Sequence, residues 1–332
     1  MMGIFDLSVM RGRRVLPGVG FEKTSFGTEF SFAWHSVPTG GDVYLKNTAA
    51  HGVIGTYHSD GVYSVSPSGD RSKIFDTSFE KNVAVDSEGN FYLSHYYGRL
   101  WKVSPSGTTL IDKTAANQLS DHAVWAGDRW VYASGRDELE CVSSDCDQLW
   151  LGLYGNGYCR GLAHLDGVIL EQRENLFRGL DLNGNILWSD NFGWQTPPQN
   201  CVGVSGDNFV AAYGYGGGNA TKLVARDAQT GAVVWTVPDI YEFSAGGIDS
   251  SLCECLTTDR FGDVYIVLGY RTKDVLKFSA SGTFIGSAML SGVIESGTPF
   301  NNEWDPRSLA VDNDGAIYIG YNKGDVIKLN QS

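Results

Sequence analysis

The side chains able to do chemistry are few and scattered along the chain. Six cysteines stand at Cys141, Cys146, Cys159, Cys201, Cys253 and Cys255. Three or four converging thiolates would bind a soft metal. Cys159, Cys201 and the Cys253/Cys255 pair each fall on or just before an apolar run that opens a repeat, so neighbouring repeats could bring them together. The expectation is still that they are small buried residues, a role cysteine fills well, and that Cys141 and Cys146, which flank one turn, stay thiols. Six histidines (His35, His51, His58, His95, His122, His164) show no ligand spacing. His164, at the end of an apolar run, is the one candidate for a lone base, and it has no recognisable partner. Asp312-Asn313-Asp314-Gly315 resembles the start of a calcium loop but lacks the later ligands and the bidentate Glu, so it reads as a turn. The glycine-rich stretch from Gly214 to Asn219 joins two apolar runs. Without a following helix it lacks the amides that cradle phosphate. No phosphate-loop, zinc-protease or nucleophile-elbow motif is present. Glu242, Asp249, Glu295, Glu303 and Asp305 could line an acidic cleft, but a glycosidase needs two carboxyls at a defined separation. No residue is assigned a catalytic role, and neither a metal nor a cofactor is expected.

Charge narrows the partners. The chain has 332 residues, a formal net charge of −13 and 19% charged residues. That acidity disfavours nucleic acid and anionic lipid. The one dense basic cluster, Arg11, Arg13 and Arg14, reads as a solvated tail. No apolar run is long enough to span a bilayer, so no membrane insertion is expected. The start MMGIFDLSVM does not read as a secretory signal, which suggests synthesis in a cytoplasm without export.

The elements that must position any site are short strands. Aromatic residues make up 12% of the chain and glycines number 42, which suits many strands separated by tight turns. Residues 83–112, 256–286 and 309–329 repeat one pattern: strand, Asp/Gly turn, strand, loop, strand, Ser/Asn-Gly turn, strand. The turn after the third strand serves as a ruler. It falls at Gly69, Gly107, Cys146, Gly184, Gly231 and Gly282, in steps of 38, 39, 38, 47 and 51 residues. Such a period belongs to four-stranded blades arranged radially. The fold class is therefore all-β: a single β-propeller over residues 1–332 with seven four-stranded blades, six or eight being the alternatives. The last repeat stops after its third strand. An N-terminal strand at residues 3–8 is expected to pair with Asp325–Leu329 and close the ring. Residues 9–40 then form a loop segment and 41–329 the blades.

Trp150, Trp188 and Trp235 each stand four residues after the turn residue. This resembles the repeat of quinoprotein-type (PQQ-like) β-propellers, in which such a tryptophan docks one blade on the next. The D-x-x-G-x-x-Y pattern of Asp86, Gly89, Tyr92 and of Asp259, Gly262, Tyr265 resembles NHL-type repeats. The resemblance spans about residues 40–329 and implies fold. It does not extend to a quinone, because those enzymes use a vicinal cysteine pair and Cys253-Glu254-Cys255 is not vicinal.

Strand direction alternates within a blade. Turns between first and second and between third and fourth strands therefore share one face, while loops between second and third strands and the linkers share the other. The second face collects nearly every long segment. Those segments hold Tyr154, Tyr158, Trp194, Tyr215, Tyr241, Phe243, Phe300 and Trp304 among Gly, Asn and Ser, a composition used by binding surfaces. The expectation is a non-catalytic binding or structural module whose partner is a protein in an assembly or a surface glycan. The most specific expectation is a tail or capsid appendage of a bacteriophage virion. The alternative is a propeller enzyme of lactonase, lyase or glycosidase type with its site at the channel mouth.

Overall fold

The computed structural model describes residues 30–35, 43–48, 52–57, 61–76, 80–95, 99–114, 119–134, 138–153, 157–173, 176–191, 201–214, 221–243, 253–268, 274–289, 306–321 and 326–331. They form seven four-stranded antiparallel sheets. Six are consecutive blades, at 43–75, 80–114, 119–153, 159–191, 202–237 and 253–289. The seventh takes three strands from 306–331 and its fourth, outer strand from Phe30–His35. The seven-bladed propeller read from the turn spacing is the observed fold.

The ring closes through an N-terminal strand, but a different one from that expected. Phe30 pairs with Gln331 and His35 with Ile327, inside the stretch assigned to loop. Residues 3–8 lie outside the described residues, and the place expected for them beside the last strand is taken by 30–35. The physical reason is readable in the residue types. Phe30, Phe32 and Trp34 are aromatic strand formers, with the register shifting between Phe32 and Trp34, whereas GIFDLS carries Gly and Asp, which are depleted in strands.

The ruler positions are the points where the backbone must turn left-handed. All six have positive φ: Gly69 94°, Gly107 86°, Cys146 59°, Gly184 82°, Gly231 71° and Gly282 78°. Each amide donates to the carbonyl three residues back, or four at Gly231, as in Gly107 to Ser104 at 2.9 Å and Gly231 to Asp227 at 2.9 Å. The side chain at the start of the turn accepts a second bond: Ser104 Oγ from the Thr108 amide at 3.0 Å, Asp181 Oδ1 from Asn183 and Asn185 at 2.8 and 2.9 Å. Side chains that cap their own turn make the geometry local and repeatable.

The core is divided into seams. Seven clusters of buried apolar residues each join the facing strands of two neighbouring blades. One of them, with Leu45 and Val53 of blade 1 against Ala310, Tyr318 and Val326 of blade 7, completes the circle.

Tryptophans lock the outer ends of three seams. The indole N–H of Trp150 donates to Leu182 O at 2.9 Å, that of Trp188 to Ala228 O at 2.9 Å and that of Trp235 to Ala280 O at 3.0 Å. Each acceptor belongs to the next blade. Glycine is required where the ring lies flat. A Cβ on Gly231 would sit 2.5 Å from the Trp188 indole, and one on Gly282 would sit 2.6 Å from Trp235. Cys146 can replace glycine in blade 3 because the residue packed against its cluster from blade 2 is Ile111 rather than Trp.

Replacing Trp188 by Ala removes a half-buried aromatic and leaves the Ala228 carbonyl without this donor. The expected loss is about 2 kcal/mol of stability, below the range for a fully buried tryptophan. Gly231→Ala should cost a comparable amount, from its left-handed backbone and from displacing the indole. Urea denaturation of both single variants and of the double variant checks this. Their effects should be sub-additive, because both break the same contact.

Candidate functional site

The face formed by first-to-second and third-to-fourth turns is rigid and chemically occupied. In blades 2, 6 and 7 one aspartate organises each first turn. Asp86 Oδ1 accepts the Glu88 and Asn90 amides at 3.0 and 2.8 Å, and its Oδ2 accepts the Tyr92 hydroxyl at 3.2 Å. Asp259 takes Phe261, Asp263 and Tyr265 in the same way, and Asp312 takes Asp314, Ala316 and Tyr318. A lysine from the third strand then lies over each tyrosine ring: Lys102 at 5.4 Å, Lys277 at 5.0 Å and Lys328 at 5.3 Å from the centroid. The D-x-x-G-x-x-Y pattern is thus a turn whose carboxylate is spent on backbone amides and a hydroxyl. Burial and the adjacent Asp push all three phenols far above their ordinary range. The calcium-like run at Asp312–Gly315 is one of these turns.

The described cysteine side chains do not converge. Cys159, Cys201 and Cys255 are buried in three different seams. Desolvation raises the Cys159 thiol far above its ordinary range, Cys141 to about 12 and Cys146 to about 11, so these thiols are protonated and unreactive at neutral pH. Cys141 and Cys146 are free. Among the described residues no group of three or more His, Cys, Asp and Glu is placed to hold a metal ion. His164 accepts the Gly167 amide through Nε2 at 3.3 Å. Burial lowers its pKa, and it serves its own turn.

Blade 4 contains a buried ionic cluster that the sequence reading does not single out. Glu171 and Arg173 are fully buried and Arg178 is nearly so. Glu171 Oε1 accepts Arg173 Nε–H at 2.6 Å, and its Oε2 forms an ion pair with Arg178 Nε at 2.8 Å. Arg173 also donates to the Gly157 carbonyl. Gln172 between them donates to Ala212 O of blade 5 at 3.0 Å. Desolvation pushes the Glu171 carboxyl up, opposed by the two guanidiniums. Glu171 and Arg173, two apart in a strand, lie on one face of it, and Arg178 is the cross-strand partner of Glu171. Opposite charges at that spacing in a strand were the available signal.

The aromatic residues proposed for binding divide. Tyr158 is 51% exposed at the entrance to blade 4, with the Arg160 guanidinium 5.9 Å from its ring. Tyr241 is buried, and its hydroxyl accepts the Thr221 hydroxyl at 3.0 Å. Phe243 stacks on Phe284 with centroids 4.4 Å apart. Both belong to a short 3-10 turn, Ile240–Phe243, which starts where Asp239 Oδ1 accepts the Tyr241 amide at 2.9 Å. Tyr241 packs into the seam between blades 5 and 6 and is buried, while Phe243 packs against the same cluster and is partly exposed. Tyr154, Trp194, Tyr215, Phe300 and Trp304 lie outside the described residues. No described helix is long and apolar enough to cross a membrane.

Known proteins resemble this arrangement at the level of repeat and ring. The sequence profile of a PQQ-repeat family described as outer membrane protein assembly factor BamB matches residues 97–332. No curated protein matches the chain by sequence. Among solved structures, the WD40 β-propeller domain of Doa1 superposes with a TM-score of 0.68 at 13% identity, covering 92% of this chain and 98% of that one. BamB from Moraxella catarrhalis gives 0.61 at 14%, covering 91% and 99%. A streptogramin B lyase gives 0.67 at 12%, covering 91% and 97%. Identities this low show a shared fold, and one fold hosts many functions.

Proposed function

The chain belongs to the family described as outer membrane protein assembly factor BamB, and on that premise we propose that it is a non-catalytic binding or structural module that engages protein partners through its linker face. The observation that carries this reading is the asymmetry between the two faces. One is built of short turns closed by their own Ser and Asp side chains, which leaves little free to adapt. On the other, blades 4, 5 and 6 are followed by described strands only after longer stretches of sequence, from Asn191 to Val202, Phe243 to Cys253 and Met289 to Pro306. Long connections on one face of a rigid ring commonly carry function. Tyr158 offers an exposed ring beside that face, and Trp194 and Trp304 are the anchors we assign to it. We further propose that the assembly is a bacteriophage particle in which the ring is a tail or capsid appendage. Its support is compositional: aromatic residues set among Gly, Asn and Ser, as in surfaces that recognise other surfaces.

The test is affinity capture of the partner from the native assembly by full-length protein. A central aromatic anchor is commonly worth about 2 kcal/mol, or roughly 30-fold in affinity. Trp194→Ala with Trp304→Ala should weaken capture at least that far. Glu88→Ala with Ser106→Ala, in turns of the opposite face, should leave it unchanged. Capture that survives the tryptophan changes, or that is lost with the turn changes, overturns the reading. So does release by free sugar, which would mark a glycan as the occupant.

A further inference from the structure

The outer strands of blades 3, 4 and 5 differ from the others. They are Gln148–Leu153, Ile186–Asn191 and Val233–Val237. Each ends its sheet, so one row of its backbone groups joins no strand among the described residues. Exposed edges are usually blunted by lysine, proline or a covering segment. Blade 1 follows that rule with Arg71 and Lys73 in its outer strand, and blade 2 with Lys113. In blade 6 the outer strand is covered: Phe284 stacks on Phe243, and Ser287 Oγ donates to the Phe243 carbonyl at 3.3 Å. In blade 7 the outer strand is the closing strand itself. The outer strands of blades 3 to 5 hold no lysine, arginine or proline.

They expose apolar residues instead. Leu149 is 49% exposed, Leu151 39%, Ile186 52%, Leu187 46%, and Val233 and Val234 52% each. Leu149, Leu187 and Val234 each directly precede a docking tryptophan, so that exposed position repeats from blade to blade. They lie directly after the third-to-fourth turns, where Asp145 is exposed, Asp147 pairs with Lys113 at 2.6 Å, and Asp181 and Asp227 accept groups of their own turns, while Asp166 stands exposed in the first turn of blade 4. Residues 119–237 hold fourteen Asp and Glu against seven Lys and Arg. Of those seven, Arg173 and Arg178 are committed to Glu171, Arg226 to Asp190 and Arg129 to Asp128.

We propose that this rim is a second docking surface, separate from the linker face, and that its occupant is an extended segment of a partner protein in which apolar residues alternate with Lys or Arg. An unpaired edge selects an extended backbone, which adds as a further strand. The leucine, isoleucine and valine side chains take the apolar positions of that segment, and the exposed carboxylates of Asp145 and Asp166 in the neighbouring turns take its cations. Two surfaces on one ring make the module a bridge between partners.

The probe is a fluorescently labelled seven-residue peptide of alternating Lys and Val, added to the full chain and followed by anisotropy. A Glu/Val peptide of the same length is the control. The Lys/Val peptide should bind at least tenfold tighter than the control and lose affinity steeply with added salt. The triple variant Leu149→Lys, Leu187→Lys, Val234→Lys should weaken binding at least tenfold. These positions are half exposed, so circular dichroism should be unchanged. If that variant fails to fold, Asp145→Asn with Asp166→Asn leaves the apolar stripe intact and should still weaken binding several-fold. Trp194→Ala with Trp304→Ala should have no effect on the peptide, so this surface and the linker face fail or stand separately. Equal binding of the two peptides, or no loss in either rim variant, overturns the proposal. Dimerisation abolished by the lysine variant would mark a second copy as the occupant. A gain in peptide affinity on removing residues 1–29 would mark the chain's own Arg11–Arg14 segment. Either result also overturns it.

Discussion

Removing residues 1–36 should lower the melting temperature by about 10 °C, whereas removing residues 1–8 should leave it within about 2 °C. The difference follows from which strand closes the ring. Phe30–His35 makes five residue pairings with the last strand of blade 7. A backbone hydrogen bond is worth about 1 kcal/mol net, so losing this ladder costs on the order of 3–5 kcal/mol. In a large domain each kcal/mol moves the midpoint by about 2–4 °C. The truncated protein also exposes Val326–Gln331 as a long edge, a template for association. It should therefore aggregate on heating at concentrations where the full chain does not. Differential scanning calorimetry of the two truncations decides the point. A fall on removing residues 1–8 alone would put the closing contact where the sequence reading first placed it.

The second large effect is at Glu171. Glu171→Leu leaves Arg173 and Arg178 facing each other inside blade 4 with the carboxylate between them gone. Removing one partner of a buried ion pair typically costs about 3–5 kcal/mol, because the remaining charge is uncompensated. Arg173 and Arg178 both lose this carboxylate, so the upper part of that range is expected. Equilibrium urea unfolding measures it. Changing Arg173→Met and Arg178→Leu together with Glu171→Leu should recover most of the loss, since an apolar trio of similar volume carries no desolvation cost. A Glu171→Leu variant as stable as the parent would mean that the cluster contributes nothing to folding.

The blades were legible because their turns are local. A Gly or Asp at a turn acts within five residues, so the spacing of Gly69, Gly107, Gly184, Gly231 and Gly282 carries the whole period. The tryptophan docking was legible for the same reason, Trp188 and Gly231 being fixed relative to their own turns. Ring closure is non-local. A missing fourth strand is legible, but which N-terminal segment fills it depends on pairing with a strand at the far end of the chain, and residues 3–8 were favoured over the aromatic run at 30–35. The binding aromatics were harder still. Tyr241 and Phe243 follow Pro238-Asp239 in a short 3-10 turn that buries Tyr241 and leaves Phe243 partly exposed. The ionic cluster escaped because Glu171 and Arg178 meet only once the second and third strands are in register.

The central claim is that this ring is a docking module with its principal partner on the linker face. Hydrogen–deuterium exchange of the full chain, free and within its isolated native assembly, tests it most directly. Slowed exchange is expected in segments 154–158, 192–200 and 290–305, with the turns at 86–90, 104–108 and 312–316 unchanged. Separate protection in the outer strands of blades 3 to 5 would report the second surface. Protection confined to the short turns, or none anywhere in the assembly, would contradict the account.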